Sequence, residues 1–344
     1  MKLLYPENGA VVDTHTPVQN TFIETIREKG IDQAQAWLKD LPGELPKIWQ
    51  GVYKYGPGNS IPQPTTLSWE NDGSESYRVE LSQTPDFANP KVWETRDCSL
   101  EITNLYLGAA YYWRVNGCPA NRFTTKDSGY RFIRIDGLMN VRDLGGIAIK
   151  QGMVYRGSEV DWECQITEAG KEIFARELGI KTEVTLRVEK PNAPQWLKDY
   201  GVRYACLPYR PYMEVFEDEH RKNICALMDF FADENNYPTY IHCHGGADRT
   251  GIIALYLRAL AGESDEDILI DYELTSLSMY SAGAKEGAGN TSVRSRTTDY
   301  FSEFYKALQA YAPGKSLKEQ VRAFLLECGV KEETLEKIVQ ILKK

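Results

Sequence analysis

The sequence predicts a multidomain chain: an all-β sandwich followed by an α/β domain whose central, largely parallel sheet is flanked by helices. Three observations carry this prediction. The chain has 344 residues, more than one domain usually holds. From about residue 61 to 125, short runs rich in Tyr, Trp and Val alternate with turn clusters at regular spacing. Beyond "TTKDSG" the apolar runs alternate with helical stretches instead. The boundary falls near residues 126–130, giving domains over 1–126 and 127–344.

Taken in order, "VQNTFIETIREKGIDQAQAWLKD" has helical periodicity. It places Phe22, Ile26, Ala34 and Trp37 on buried faces, with Gly30 breaking the segment in two. It reads as a helical insertion, about residues 17–40, near the start of the sandwich. The strands follow as "TTLSWE", "SYRVELS", "KVWETR", "SLEITNL", "AAYYWRV" and "NRFTT". In "AAYYWRV", Tyr112 and Arg114 face one side while Trp113 and Val115 face the other. The pattern from Trp69 through Leu105 to "YYWRV" resembles a fibronectin type III domain, over about a fifth of the chain.

In the second domain "VTLRV", "YACLPY" and "PTYIHC" read as strands. "TEAGKEIFARELG", "HRKNICALMDFFADE" and "TGIIALYLRALAG" read as helices between and after them. The stretch "YSAGAKEGAGNTSVRSR" is rich in small residues and predicts a loop over 280–296. That loop could fold over a site as a lid and bring Lys285, Arg294 or Arg296 to a second phosphate; an ordinary surface loop is the plainer reading.

The net charge of −9 argues against a nucleic-acid partner, which would call for a basic face. There is no apolar run long enough for a membrane span, and "MKLLYPENGA" is too short in apolar residues for an export leader. Seven scattered cysteines without CxxC pairs fit reduced thiols and a cytoplasmic setting, with secretion the alternative had a leader been removed.

The chemistry concentrates in "YIHCHGGADRTGIIALYLRAL". A strand ends at Cys243 and a helix starts near Thr250, so the residues between form a tight loop whose backbone N–H groups have no helical partners and favour an anion. The loop runs through His244, Gly245, Gly246, Ala247 and Asp248 to Arg249, with the two glycines permitting close approach and positive φ. A cysteine at the rim of such a cradle, near a guanidinium, is favoured as a thiolate. Arg249 offers a fork of donors to two phosphate oxygens, and Thr250 can set its hydroxyl beside the sulfur. These parts describe phosphoryl transfer through a cysteinyl-phosphate.

His242, Cys243, Gly246, Arg249, Thr250 and Gly251 match HCxxGxxRTG, the phosphate-binding loop of cysteine-dependent protein tyrosine phosphatases. "MNVRDLGG", "VYRGSEV", "VTLRVEKP" and "GADRTG" together resemble the bacterial tyrosine/serine phosphatase family, and "SDEDILIDYELTS" and "KSLKEQVRAFLLECGVKEETLEKI" fit its tail. The resemblance covers about residues 130–344 and implies an active-site-wall role for Arg142 and Asp143. Three positions depart from the family pattern: Ala247 stands for its lysine, His244 for a small or apolar residue, and Thr185 for the aspartate of DLR, which leaves Arg187 less firmly oriented.

A seryl or tyrosyl oxygen leaves poorly without a proton, so one carboxylic acid should face the thiolate. In the family resembled, the aspartate before the arginine serves, which implies Asp248; Asp218 and Glu217 are the reserves. A helix cap or an arginine pair is the structural alternative for Asp248. His242 reads as a support, since adjacent strand residues point to opposite faces and its ring should bond backbone behind the loop. The cluster His242, Cys243, His244 and Asp248 reads poorly as a metal site, since contiguous ligands on a strand cannot readily converge on one ion and no second Cys/His cluster completes the coordination. The phosphoryl-transfer reading implies neither a metal nor an organic cofactor. The implied partner is a phosphorylated protein, with a phosphoinositide or inositol phosphate the alternative substrate and a protein partner at the first domain. A phosphate-binding adaptor without turnover is the rival from another class.

Overall fold

A computed structural model describes residues 1–41, 58–162, 164–188, 192–278 and 299–344. The chain divides into two compact units, one of residues 1–16 and 62–133, the other of residues 17–61 and 134–344. The helical segment expected within the sandwich is thus grouped with the larger unit. The predicted loop over 280–296, with Lys285, Arg294 and Arg296, lies outside the described residues.

The first unit is built of two sheets. The smaller joins β1 (Leu3–Tyr5), β3 (Thr65–Trp69) and β6 (Ser99–Ile102) in antiparallel pairing. The larger runs β2 (Ala10–Val12), β8 (Asn121–Thr125), β7 (Ala110–Val115), β4 (Tyr77–Ser82) and β5 (Lys91–Thr95), antiparallel except for β2 beside β8. Period-two alternation explains its core: Thr65, Leu67 and Trp69 of β3 and Tyr111, Trp113 and Val115 of β7 are buried. Tyr112 and Arg114 take the other face of β7, where Arg114 pairs with Glu80 at 2.6 Å. β9 (Arg131–Phe132) closes the unit in sequence.

The second unit opens with α1 (Pro17–Lys29) and α2 (Ile31–Asp40). Gly30, at φ +85°, turns the chain between them, and Phe22, Ile26 and Ala34 are buried while Trp37 is half-buried. The sheet follows with β10 (Arg142–Asp143), β11 (Val154–Gly157), β12 (Thr182–Thr185), β13 (Arg203–Cys206) and β14 (Thr239–His242). Their order is β13-β12-β14-β11-β10, parallel except for β10 against β11. Strands β11, β12 and β14 are buried along their whole length, as expected when helices cover both faces of a parallel sheet.

The connections carry α3 (Glu168–Glu172), α4 (Gln195–Asp199) and α5 (Arg221–Phe231). After β14 comes α6 (Asp248–Ala261), buried from Thr250 to Ala261 and largely apolar, with Arg258 the charged residue inside that stretch. Helices α7 (Asp265–Glu273), α8 (Asp299–Gln309), α9 (Leu317–Glu327) and α10 (Glu332–Leu342) complete the unit. Arg27 and Gln35 tie α1 and α2 to α7 through Asp267 and Glu273, at 2.8 and 2.7 Å.

Candidate active site

The parallel register pairs both Gly157 of β11 and Thr185 of β12 with His242 of β14. The chain therefore leaves the middle of the sheet's C-terminal edge at Cys243 and enters α6 at Asp248. That edge is where open α/β sheets bind ligands. Cys243 and Thr250 are buried, whereas His244, Asp248 and Arg249 are half-buried and so reach the surface.

Every carbonyl from Cys243 to Ala247 is held by a donor. His242 Nδ1 lies 2.8 Å from Cys243 O, and Glu159 N donates to His244 O at 2.8 Å. Asn140 Nδ2 donates to Gly245 O at 3.0 Å and to Gly246 O at 3.2 Å. Arg156 Nη2 donates to Gly246 O at 2.7 Å and to Ala247 O at 3.4 Å. The loop's peptides are trans, so a carbonyl turned to one side sends the next N–H to the other. The N–H groups of residues 244–248 therefore face away from these supports, and N–H groups so placed at a helix N-terminus favour an anion.

Glycine is required within this turn. Gly246 has φ +66°, and a Cβ there would stand 2.2 Å from Gly157 O. At Gly157 a Cβ would stand 2.3 Å from the Tyr240 hydroxyl. The loop thus lies directly on the end of β11.

Burial opposes ionisation of Cys243, but the Arg249 guanidinium and the nearby Thr250 hydroxyl and backbone N–H dipoles outweigh it, and the thiol lies below its ordinary value. Arg249 Nη1 donates to Leu186 O at 3.4 Å, which anchors the guanidinium at the end of β12. His242 Nε2 meets the buried carboxylate of Glu183. Burial disfavours the imidazolium, yet the charge and hydrogen bond of Glu183 raise His242 above its ordinary value.

Asp248 accepts a hydrogen bond from the Tyr212 hydroxyl, itself 3.1 Å from the Tyr272 hydroxyl. Asp218 instead pairs with Arg221 at 2.9 Å and is 92% exposed, and Glu217 lies 3.6 Å from His220. Arg142 and Asp143 are both buried and face opposite ways. Asp143 accepts from Gly145 N at 2.8 Å and Gly152 N at 2.6 Å, closing the glycine turn, while Arg142 turns to Asp271 at 3.2 Å.

Arg187 corrects an expectation. With Thr185 in place of aspartate it should be loosely held, but it is buried, ion-paired to Glu159 and set over the Trp162 ring at 4.8 Å. Glu159 also lies 3.4 Å from His244 Nε2, so one carboxylate serves both. Glu159, Glu183, Asn140, Arg156, Tyr212 and Asp271 escape a reading of the sequence alone. The available signal is a charge inside an apolar run, as in "TEVTL" and "MVYRG", which must find a partner once buried.

Among the described residues, the group that brings three metal-ligating side chains together is Glu217, Glu219 and His220, two of them exposed and none in the loop.

Residues 133–344 match the model of the tyrosine phosphatase family. Over 176 residues the chain is 27% identical to a protein of Cupriavidus necator that carries a provisional tyrosine-protein phosphatase name. That match takes in 42% of this chain and 63% of the relative, so the chain spans a little under two thirds of the relative's length. Two solved structures show similarity at a TM-score of 0.30. The core catalytic domain of the PP-IP phosphatase Siw14 from S. cerevisiae, in complex with citrate, is 20% identical, with 37% of this chain and 74% of that one covered. A second structure of the Siw14 catalytic core is 18% identical, with 48% and 93% covered.

Proposed function

Because the chain belongs to the tyrosine phosphatase family, whose model spans residues 133–344, we propose that it is a phosphomonoester hydrolase working through a cysteinyl-phosphate. The observation that carries this reading is the loop of residues 243–247, with its carbonyls held from behind and its cysteine favoured as a thiolate. The Cys243 thiolate attacks phosphorus, forming the S–P bond as the P–O bond to the leaving group breaks. Asp248 gives its proton to the departing oxygen. Arg249 and the loop N–H groups hold the three remaining phosphoryl oxygens as charge redistributes among them. Water then attacks the phosphocysteine, passing a proton to Asp248, and the thiolate leaves with the Thr250 hydroxyl beside it.

A phosphotyrosyl protein is the proposed substrate, with phosphoseryl proteins as a second group. Ala247, where the resembled family has lysine, removes a charge that a multiply phosphorylated lipid would use. The first unit, with its sheets of three and five strands, is proposed as a fibronectin-III-like sandwich and a surface for a protein partner. No helix among the described residues is long and apolar enough to cross a membrane.

Turnover of an aryl phosphate with a burst of product, abolished in Cys243→Ser, is the expected behaviour of the fresh reduced enzyme. Absence of turnover in that enzyme would favour a phosphate-binding adaptor instead. A panel of phosphotyrosyl peptides, phosphoseryl peptides and phosphoinositides tests the substrate class, and a large preference for the lipids would overturn the protein assignment.

A further inference from the structure

Resting on the phosphatase reading, we infer that Asp271 is a positioning residue that sets the orientation of the phosphate-binding loop through two separate arms. Asp271 lies on α7, is 2% exposed and receives three guanidiniums: Arg142 Nε at 3.2 Å, Arg156 Nη1 at 2.6 Å and Arg258 Nη2 at 3.4 Å. Two of these lead on to the loop.

The first arm is direct. Arg156 gives Nη1 to Asp271 and Nη2 to the carbonyls of Gly246 and Ala247. Because a guanidinium is planar, fixing one of its edges on the carboxylate fixes the direction of the other.

The second arm runs through Arg142 and Asn140. Arg142 donates Nη1 to Asn140 Oδ1 and Nη2 to Asp271's own carbonyl at 3.0 Å. An arginine only donates, so the Asn140 amide must present its oxygen to Arg142 and its nitrogen to the other side. There Nδ2 meets the carbonyls of Gly245 and Gly246. Asn140 has φ +57°, a left-handed backbone that asparagine tolerates better than most residues. The motif "NVR" and the aspartate of "LIDYE", more than a hundred residues apart, are thereby parts of one clamp on three consecutive peptide planes.

Asp271 acts through direction and not through its charge. Its carboxylate lies behind an anion site, so its charge alone repels a bound phosphate. Removing that charge would strengthen anion binding if electrostatics governed, and weaken it if loop orientation governs. The two accounts therefore predict opposite signs.

The test compares wild type, Asp271→Asn, Asn140→Ala and Glu263→Gln. Glu263 belongs to the same buried cluster, pairing with Arg258 at 2.5 Å and accepting a hydrogen bond from Ala148 N at 3.1 Å. Vanadate serves as the probe because it adopts the geometry of the phosphoryl group in transfer. Inhibition by vanadate, kcat and KM for p-nitrophenyl phosphate, and melting temperature are read for each protein. Asp271→Asn and Asn140→Ala should weaken vanadate binding roughly 10- to 100-fold and lower kcat in parallel. Glu263→Gln should lower the melting temperature while vanadate affinity holds. A folded Asp271→Asn that binds vanadate as tightly as wild type, or more tightly, overturns the inference. Should that variant not fold, unchanged vanadate affinity in Asn140→Ala, which removes no charge, overturns it equally. Wild type that neither hydrolyses the ester nor binds vanadate would sink the phosphatase reading, a result distinct from either of these.

Discussion

Glu183 and His242, on adjacent parallel strands, form a buried carboxylate–imidazole pair directly behind Cys243. A carbonyl oxygen only accepts, so His242 Nδ1 must carry a proton toward Cys243 O, while Nε2 faces the Glu183 carboxylate. The pair holds His242 protonated above its ordinary value. Such a group adds stability that is fully present below about pH 6.5 and is lost as pH rises through the raised value. The Cys243 thiol titrates with the opposite sign, so the comparison belongs on a Cys243→Ser background. There the melting temperature should fall as pH rises above about 6.5. Adding Glu183→Gln should leave it flat or rising. Parallel curves for the two proteins would refute the role of Glu183.

Alkylation of Cys243 by iodoacetamide should reach half its limiting rate below about pH 8.5, the ordinary thiol value, because Arg249 and Thr250 overcome burial. Arg249→Ala should move that midpoint upward, and inorganic phosphate should protect wild type. A midpoint at or above the ordinary value would contradict the thiolate assignment.

Gly246→Ala combines a left-handed backbone with a Cβ 2.2 Å from Gly157 O. The backbone term alone costs about 1–3 kcal/mol, and relief of the clash must shift the loop off β11. Loss of at least about 100-fold in kcat/KM is expected, together with a lower melting temperature. Near-native activity would mean that the loop tolerates displacement.

If Asp248 is the acid, Asp248→Asn should lower kcat about 100-fold or more for phenyl esters with poor leaving groups and much less for activated ones. Tyr212→Phe, which removes the hydroxyl that bonds Asp248, should show the same dependence on leaving group in weaker form. An equal loss on all esters would assign Asp248 to structure, and the acid would have to be sought elsewhere.

Strands β3 to β8 of the first unit, β12 to β14 of the second and the loop itself are legible in the sequence because each is specified locally, whereas β9, β10 and β11 are not read as strands there. Period-two alternation marks β3 and β7, and the turn at Gly246 sits within ten residues of everything it serves. The three-residue strands β1 and β2 are too short to show a period. The supports of the loop are illegible for a different reason. Glu159 is called by His244 and Arg187, and Asp271 by Arg142 and Arg156, across gaps set by the parallel crossovers. Asp271 sits in "DILIDYELTS", where an aspartate looks like the solvated face of a helix, yet every residue from Ile268 to Glu273 is buried. Only the packing of α7 shows that it is paired.

The most direct measurement is the intact mass of enzyme quenched during turnover of an aryl phosphate, followed by mapping of the modified residue. One phosphoryl group on Cys243 is predicted, absent from Cys243→Ser. Turnover without any adduct, at a rate unchanged by Cys243→Ser, would contradict the account.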